Sequence, residues 1–233
     1  MEDTKLGFGM MNQPRMNAAD DGSAGLKEMN EMVDLFLKKG FTYFDASYVY
    51  YGQQSEKTAG ECLVKRHPRE WFTLASKLHY AYFNTAEEAD AVFEEQRRNA
   101  GVERFDYYML HDIDEKSIVK YERLKCFDWL TAKKKQGQIK YMGFSFKGDI
   151  PLLERLLNEH AQMHFVQINM KDKTRESMDA AMDVFECAAK HGIGVIVTSE
   201  DPEVIRYCMG FPEVYYTVAG IESMKLLKEL TAD

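Results

Sequence analysis

The 233-residue sequence contains no long apolar run, little cysteine and no excess of basic residues. No stretch approaches the roughly 20 apolar residues that cross a bilayer, so neither a membrane helix nor a signal peptide is predicted. Its 4 cysteines lie far apart, which excludes the spacing of zinc knuckles and of iron–sulfur runs. A net charge of -8 argues against a nucleic-acid surface. We therefore expect a cytoplasmic protein that acts on small molecules, with neither nucleic acid nor membrane as a partner.

The residues that are present indicate one ordinary globular domain. Hydrophobic residues make up 45% and charged residues 29% of the chain, so we expect a single domain spanning residues 1–233. One sequence pattern recurs, in which a predicted helix ends on glycine and a run of residues typical of β-strands follows. Glycine suits the left-handed cap that ends many helices, and alternation of helix and strand implies a parallel sheet. The glycines are Gly40, Gly101, Gly137 and Gly192.

Eight strands and eight helices can be placed along the chain, which predicts a compact (β/α)8 TIM barrel. The predicted strands are 6–10, 41–47, 72–78, 107–112, 140–146, 165–169, 195–199 and 217–221. The predicted helices are 26–39, 57–66, 85–100, 116–135, 149–159, 176–190, 202–209 and 222–230. A doubly wound open sheet would carry a G-x-G-x-x-G turn after its first strand, and the G-F-G at 7–9 lacks the third glycine.

Polar residues cluster at the carboxyl ends of the predicted strands, where barrels of this kind carry their chemistry. They share the parity that points into the barrel. Burial of an Asp and a Lys there costs several kcal/mol unless the two pair and serve a purpose. We therefore expect a functional site at this mouth of the barrel. Its members are Asp45, Lys77, His111, Ser145, Gln167 and Asn169.

These segments resemble the aldo-keto reductase superfamily. The resemblance is carried by K-L-G-F-G at 5–9, F-D-A-S-Y-V-Y at 44–50, S-K-L at 76–78, L-H-D at 110–112, G-F-S-F at 143–146 and V-Q at 166–167. The sequence most resembles those of bacterial members with an added C-terminal ferredoxin-like iron–sulfur domain. We expect neither that domain nor an iron–sulfur cluster here.

The resemblance implies an oxidoreductase that reduces aldehydes or ketones to alcohols, or runs the reverse, with NADPH or NADH. It implies Tyr50 as proton donor, Lys77 to lower the pKa of that hydroxyl, Asp45 to orient the lysine, and His111 to hydrogen-bond the carbonyl oxygen. A free tyrosine, with a pKa near 10, is a reluctant acid without such help. Tyr48 and Tyr51 fit the family spacing less well.

The resemblance also implies that Ser145 and Gln167, together with Asn169, hold the nicotinamide carboxamide. Other residues expected at the cofactor are Met10, Met11, Thr198, Ser223 and Lys225. The chain departs from the family after the seventh strand, where a loop that covers the pyrophosphate is shortened to a direct turn into the next helix. Thr198 stands where many relatives have an aromatic ring that stacks on the nicotinamide. The negative charge of Glu222 would repel the adenosine phosphate of the cofactor. We expect weak cofactor binding.

Two other hypotheses remain open from the sequence. One is a cofactor-free or weakly cofactor-binding barrel with a binding or proton-transfer role. The other is a metal site for hydrolysis, since His and carboxylates at barrel ends can hold zinc or manganese. Lys77 would be an unhelpful cation in that mouth, so we expect no metal. The metal hypothesis rests on Asp45, His79, His111, Asp112 and Asp114.

Overall fold

The fold is that of a closed barrel of eight parallel strands in chain order, seen in a computed structural model that describes residues 5–12 and 23–232. The last strand pairs with the first, so the sheet has no free edge. The strands are β1 (Leu6–Gly9), β2 (Tyr43–Asp45), β3 (Thr73–His79), β4 (Phe105–Ile113), β5 (Ile139–Phe146), β6 (Phe165–Asn169), β7 (Gly194–Ser199) and β8 (Val214–Gly220). The predicted (β/α)8 barrel is confirmed.

The described residues form helices that cover the outside of the barrel. They are α1 (Ser23–Lys38), α2 (Ser55–Ala59), α3 (Ala86–Ala100), α4 (Ile118–Arg123), α5 (Cys126–Lys135), α6 (Ile150–Glu159), α7 (Arg175–Lys190), α8 (Pro202–Met209) and α9 (Met224–Leu230). None of them is long and apolar enough to cross a membrane.

Two predicted helices differ from the observed ones. The predicted single helix 116–135 is broken into α4 and α5, because Lys125 adopts a left-handed conformation with φ of 51°. The predicted helix 57–66 starts earlier, with α2, and continues as a π-helical turn over Gly60–Val64. In that turn Gly60 lies close to the backbone of α3, where an added Cβ would approach Asn99 O to 2.7 Å. The close packing leaves no room for a side chain.

The glycines predicted to end helices adopt the expected backbone conformation. Their φ values are 89° at Gly40, 69° at Gly101, 75° at Gly137 and 67° at Gly192. At Gly101 the cap is complete, since its N–H donates to the last turn of α3. A residue with a Cβ is strained in this region, so glycine ends these helices at low cost.

Aromatic rings fill the interior of the barrel. Tyr43 of β2 stacks on Tyr216 of β8 with ring centroids 4.1 Å apart, and Tyr107 of β4 lies 5.3 Å from Tyr43 and 4.9 Å from Tyr141. The buried members of this interior cluster are Tyr43, Ala75, Met109, Phe165, Ile196 and Val218. The predicted inward parity of β2, β3 and β4 is therefore confirmed, and the rings form a solid floor beneath the strand ends.

A larger apolar core lies between the barrel and its helices. It contains the opposite parity of the strands, such as Phe44, Leu74 and Leu110, packed against helix residues such as Phe36 and Phe93. Because the strands are buried on both faces, the barrel is rigid, and side chains at its carboxyl ends are held in fixed positions.

Candidate functional site

A buried ion pair joins the ends of β2 and β3. Asp45 and Lys77 are fully buried, and the Lys77 Nζ donates to Asp45 Oδ1 and to the Ala46 carbonyl, the latter at 3.1 Å. Gln167 Nε2 at the end of β6 donates to the other carboxylate oxygen at 3.0 Å. Burial alone would lower the pKa of Lys77, but Asp45 and Tyr50 outweigh it, so that pKa is raised. The ammonium therefore stays charged in the interior.

Tyr50 lies on the turn that follows β2, above this pair. The Lys77 Nζ faces its ring at 4.5 Å from the ring centroid, and the Tyr50 and His111 rings meet edge to face with centroids 5.9 Å apart. Burial raises the pKa of the Tyr50 hydroxyl to about 12, although Lys77 opposes the rise. Lys77 thus acts in the predicted direction, but desolvation is the larger effect. Tyr50 is fully protonated at neutral pH.

His111 is the fourth residue of the constellation predicted from the sequence. It lies on β4 in register with His79 of β3, and its Nδ1 is 3.3 Å from Ser47 Oγ. Burial, reinforced by the Lys77 charge, holds the pKa of His111 well below its usual value, so the ring is neutral. The structure therefore brings Asp45, Tyr50, Lys77 and His111 to one mouth, on elements β2 to β4.

The other two tyrosines considered as proton donors are placed differently. The Tyr48 hydroxyl donates to Glu95 Oε2 on α3 at 3.1 Å, so it is committed away from the mouth. Tyr51 is in a left-handed conformation with φ of 48° in the turn over Tyr50–Gln53. Of the three, Tyr50 is the one that contacts both Lys77 and His111.

Ser145 and Gln167 face each other in register across β5 and β6. Ser145 Oγ accepts from the Asp112 N–H at 2.6 Å, which leaves its hydroxyl proton available to donate. The Gln167 amide nitrogen is held by Asp45, which leaves its carbonyl oxygen available to accept. One donor and one acceptor at adjacent strand ends fit a carboxamide, which carries both an oxygen and an NH2 group.

Asn169 is the last residue of β6, two positions after Gln167. Its side chain is exposed and donates to Thr198 Oγ1 at 3.1 Å. Asn169 also lines a groove of about 490 Å³ between α6 and α7, with a floor formed by Phe146, Ile168 and Met170. The lining of this groove includes none of the four residues of the mouth. Ser145 and Gln167 therefore lie side by side at the strand ends, and Asn169 bonds Thr198 at the neighbouring end of β7.

The remaining expected cofactor positions surround β1, β7 and α9. Met10 is buried in the turn after β1, where its N–H donates to Asp45 O at 2.9 Å, and Met11 is partly buried. Thr198 is buried at the end of β7, and Lys225 is exposed. Ser223 caps α9, accepting from Leu226 N at 3.3 Å.

Carboxylates of the chain itself lie around β1, β7 and α9. β7 ends at Ser199 and α8 starts at Pro202, so the connection is very short, as predicted. Glu200 in that connection accepts from Asn12 Nδ2 at 3.2 Å and so links the loops after β7 and β1. Glu28 on α1 accepts from the Met224 N–H at 3.1 Å. The first turn of α9 is therefore capped by a carboxylate.

Sequence reasoning missed a buried network behind Lys77. Glu56 on α2 accepts from Ser76 Oγ and from Gln96 Nε2, both at 2.9 Å, and Gln96 also donates to the Lys77 carbonyl at 2.9 Å. Burial raises the pKa of Glu56. The network ties the helix after Tyr50 to the strand that carries Lys77. A glutamate six positions after Tyr50 gave no signal by itself, because its partners are distant in sequence.

The metal hypothesis gains no geometric support. Across residues 5–12 and 23–232, no three or more His, Cys, Asp and Glu side chains are grouped so that they could hold a metal ion. Asp112 instead pairs with Lys147 at 2.9 Å, and Lys77, a cation, lies in the mouth itself.

Comparisons with known proteins agree with the sequence resemblance. The profile described as the Aldo/keto reductase family matches residues 5–200. No curated protein matches the sequence. Among solved structures, PA4992 from Pseudomonas aeruginosa, assigned as an aldo-keto reductase, superposes with a TM-score of 0.80 at 20% identity, over 98% of this chain and 88% of that one. The holo form of aldo-keto reductase AKR11C1 from Bacillus halodurans gives 0.75 at 19% identity, over 97% and 85%.

Proposed function

Because the chain belongs to the Aldo/keto reductase family, we propose that it reduces aldehydes or ketones to alcohols, or catalyses the reverse reaction, with NADPH or NADH. The observation that carries the proposal is the buried Asp45–Lys77 pair in contact with Tyr50 and next to His111. Burying two charges at a barrel mouth is costly, and such clusters concentrate at catalytic sites. The substrate is a small carbonyl compound, and the whole chain acts as one barrel domain.

The four residues take distinct roles in this reaction. When bound, a nicotinamide cofactor supplies the hydride, and its addition to a carbonyl carbon leaves an alkoxide. Tyr50 donates its hydroxyl proton to that oxygen. Although the pKa of Tyr50 is about 12, an alkoxide is a stronger base than a tyrosinate, so the transfer is downhill. Lys77 stabilises the tyrosinate that results, and Asp45 holds Lys77 in place.

His111 acts as a neutral hydrogen-bond donor to the carbonyl oxygen and fixes the approach of the substrate. Its neutrality follows from burial and from the Lys77 charge, which together lower its pKa. A protonated ring at this position would be repelled by the Lys77 ammonium. The proposed site therefore contains one proton donor, one cation and one neutral group that positions the substrate.

The residues present fit the nicotinamide end of the cofactor better than its phosphates. Ser145 would donate to the carboxamide and Gln167 would accept from it. Asn169, Thr198, Met10 and Met11 surround the same strand ends. Toward the phosphates, Ser223 and Lys225 are offset by the nearby carboxylates of Glu28, Glu200 and Glu222. We therefore propose that binding is weak and that any preference for NADPH over NADH is small.

Titration of the purified protein with NADPH and with NADH, followed by fluorescence and calorimetry, tests this proposal. A parallel assay with a panel of aldehydes and ketones follows the oxidation of the reduced nicotinamide. We expect turnover with at least one cofactor at concentrations far above those used for tightly binding enzymes. If neither cofactor binds at millimolar concentration, the proposal is wrong and the cofactor-free hypothesis gains support.

A further inference from the structure

The imidazole ring of His111 has a polar neighbour at each of its two nitrogens. Ser47 Oγ lies 3.3 Å from Nδ1, and Asp112 Oδ1 lies 3.8 Å from Nε2. Ser47 is fully buried on the segment between Asp45 and Tyr50. Because both Ser47 and the ring are held within the rigid top of the barrel, this contact has little freedom to rearrange.

A neutral imidazole carries one proton, and its position decides what the ring can do. With the proton on Nε2, that nitrogen donates a hydrogen bond, and Nδ1 accepts one. With the proton on Nδ1, the Nε2 lone pair would face the lone pairs of a carbonyl oxygen and repel them. The role of His111 as a donor at Nε2 therefore requires one tautomer.

The chemistry of the two neighbours favours that tautomer. A hydroxyl is a good donor, and an imidazole nitrogen is a stronger acceptor than a hydroxyl oxygen, so the contact is best made with Ser47 donating to Nδ1. On the opposite side, the Asp112 carboxylate can only accept, which favours a proton on Nε2. Asp112 is held there by a left-handed backbone with φ of 57° and by its pairing with Lys147.

We propose that Ser47 is a positioning residue that donates its hydroxyl proton to His111 Nδ1 and thereby keeps the ring proton on Nε2. Its effect on catalysis rests on the proposed carbonyl reduction, because only there does the Nε2 proton act on a substrate. Its effect on the tautomer is a property of the protein alone. The two can therefore be measured separately.

Nitrogen-15 NMR of the histidine rings tests the tautomer directly. The wild-type His111 spectrum, assigned by comparison with His111→Asn, should show an unprotonated Nδ1 and a protonated Nε2 at neutral pH. In Ser47→Ala, the Nδ1 resonance should move toward the protonated range as the other tautomer becomes populated. Ser199→Ala is the control, because it removes a buried hydroxyl at the end of another strand, where Ser199 Oγ accepts from the Asp201 N–H at 3.1 Å, and its His111 spectrum should be unchanged.

Kinetics then test the consequence. Loss of the tautomer bias should lower kcat by about tenfold with KM nearly unchanged, since the lost interaction acts in the transition state. Ser47→Thr keeps the hydroxyl and should restore both the spectrum and the rate. A wild-type ring protonated on Nδ1, or a spectrum that Ser47→Ala leaves unchanged, overturns the proposal. The expected spectra in a protein without carbonyl reduction would uphold the Ser47 proposal and refute the proposed function instead.

Discussion

The mouth of the barrel has two sides that are built differently. At the ends of β2, β3 and β4, buried side chains of opposite charge hold one another, and the rings of Tyr50 and His111 contact each other beside this pair. Around β1, β7 and α9, the chain closes on itself through Asn12 with Glu200 and Glu28 with Met224. The first side holds the residues proposed for catalysis, whereas the second presents carboxylates where the phosphates of the proposed cofactor would need cations.

Under the proposed function, this difference separates the residues for catalysis from the residues for cofactor binding. Burying the charged cluster of the first side costs free energy, so its presence favours a catalytic role for these residues. The acidic contacts of the second side lie near the surface and are energetically modest, so they can be altered without unfolding the barrel. Substitutions on the two sides should therefore change different measured quantities.

The largest effect is expected from Tyr50→Phe. Removal of the only hydroxyl assigned to proton donation should lower carbonyl reduction by a thousandfold or so, within the range typical of acid catalysis. Cofactor affinity and the unfolding transition should stay close to wild type. Tyr48→Phe is the control, because that hydroxyl bonds Glu95 instead. Retained turnover in Tyr50→Phe would show that the acid lies elsewhere.

Lys77→Met tests how much the catalytic side depends on its buried pair. The change leaves the Asp45 carboxylate buried without its cation and should lower the free energy of unfolding by about 3–5 kcal/mol. Urea denaturation measures the loss. Lys65→Met is the comparison, since Lys65 pairs with Glu61 in solvent and should cost no more than about 1 kcal/mol. Adding Asp45→Asn to Lys77→Met should recover part of the stability, and equal losses for the two lysines would contradict the account.

Replacing the short connection between Ser199 and Val204 with the longer loop of a relative should strengthen the cofactor side. Two regained charge-assisted hydrogen bonds to the pyrophosphate would tighten NADPH binding by about a hundredfold. Calorimetry measures the gain, and a glycine–serine insert of the same length is the control. Submicromolar NADPH binding by the unaltered chain would show that the longer loop was never needed.

Glu28→Gln makes a smaller change on the same side. The amide keeps an oxygen to accept from the Met224 N–H but removes a negative charge beside α9. If this region receives the adenosine phosphate, NADPH should bind about fivefold more tightly while NADH changes little. Glu31→Gln, exposed on the same helix, serves as control. An equal change for both cofactors would place the phosphate elsewhere.

The smallest effect is expected from pH. Reduction uses protonated Tyr50, which is lost only as pH rises toward its pKa of about 12, and the lowered pKa of His111 places its protonation on the acid side. Between about pH 6 and 9, kcat/KM for reduction should therefore vary by no more than about twofold. A transition near neutrality would mean that a group outside this cluster titrates in catalysis.

Much of the barrel was predictable because each strand follows a recognisable signal. In this sequence a helix that ends on glycine is followed by a strand. Gly101 and Gly137 adopt the expected left-handed conformation before β4 and β5. The break at Lys125 was not predictable, because apolar spacing continues through it and nothing in that residue type requires a left-handed backbone.

The site was predictable where it depends on strand ends and not where it depends on distant partners. Alternation along β2 and β3 places Asp45 and Lys77 in the interior, so their meeting follows from the barrel. The contacts of Ser47 and Glu56 depend on side chains that come together from β4 and α3, and the sequence gives no register for them. These contacts are visible only in the folded chain.

The stacked tyrosines beneath the site have a consequence for the order of events. The rings of Tyr43, Tyr107 and Tyr216 contact one another across the barrel interior, so the space at the strand ends is closed from below. Under the proposed function, the cofactor and the carbonyl compound would therefore enter and leave through the same mouth. The ligand bound deeper would then have to bind first and leave last.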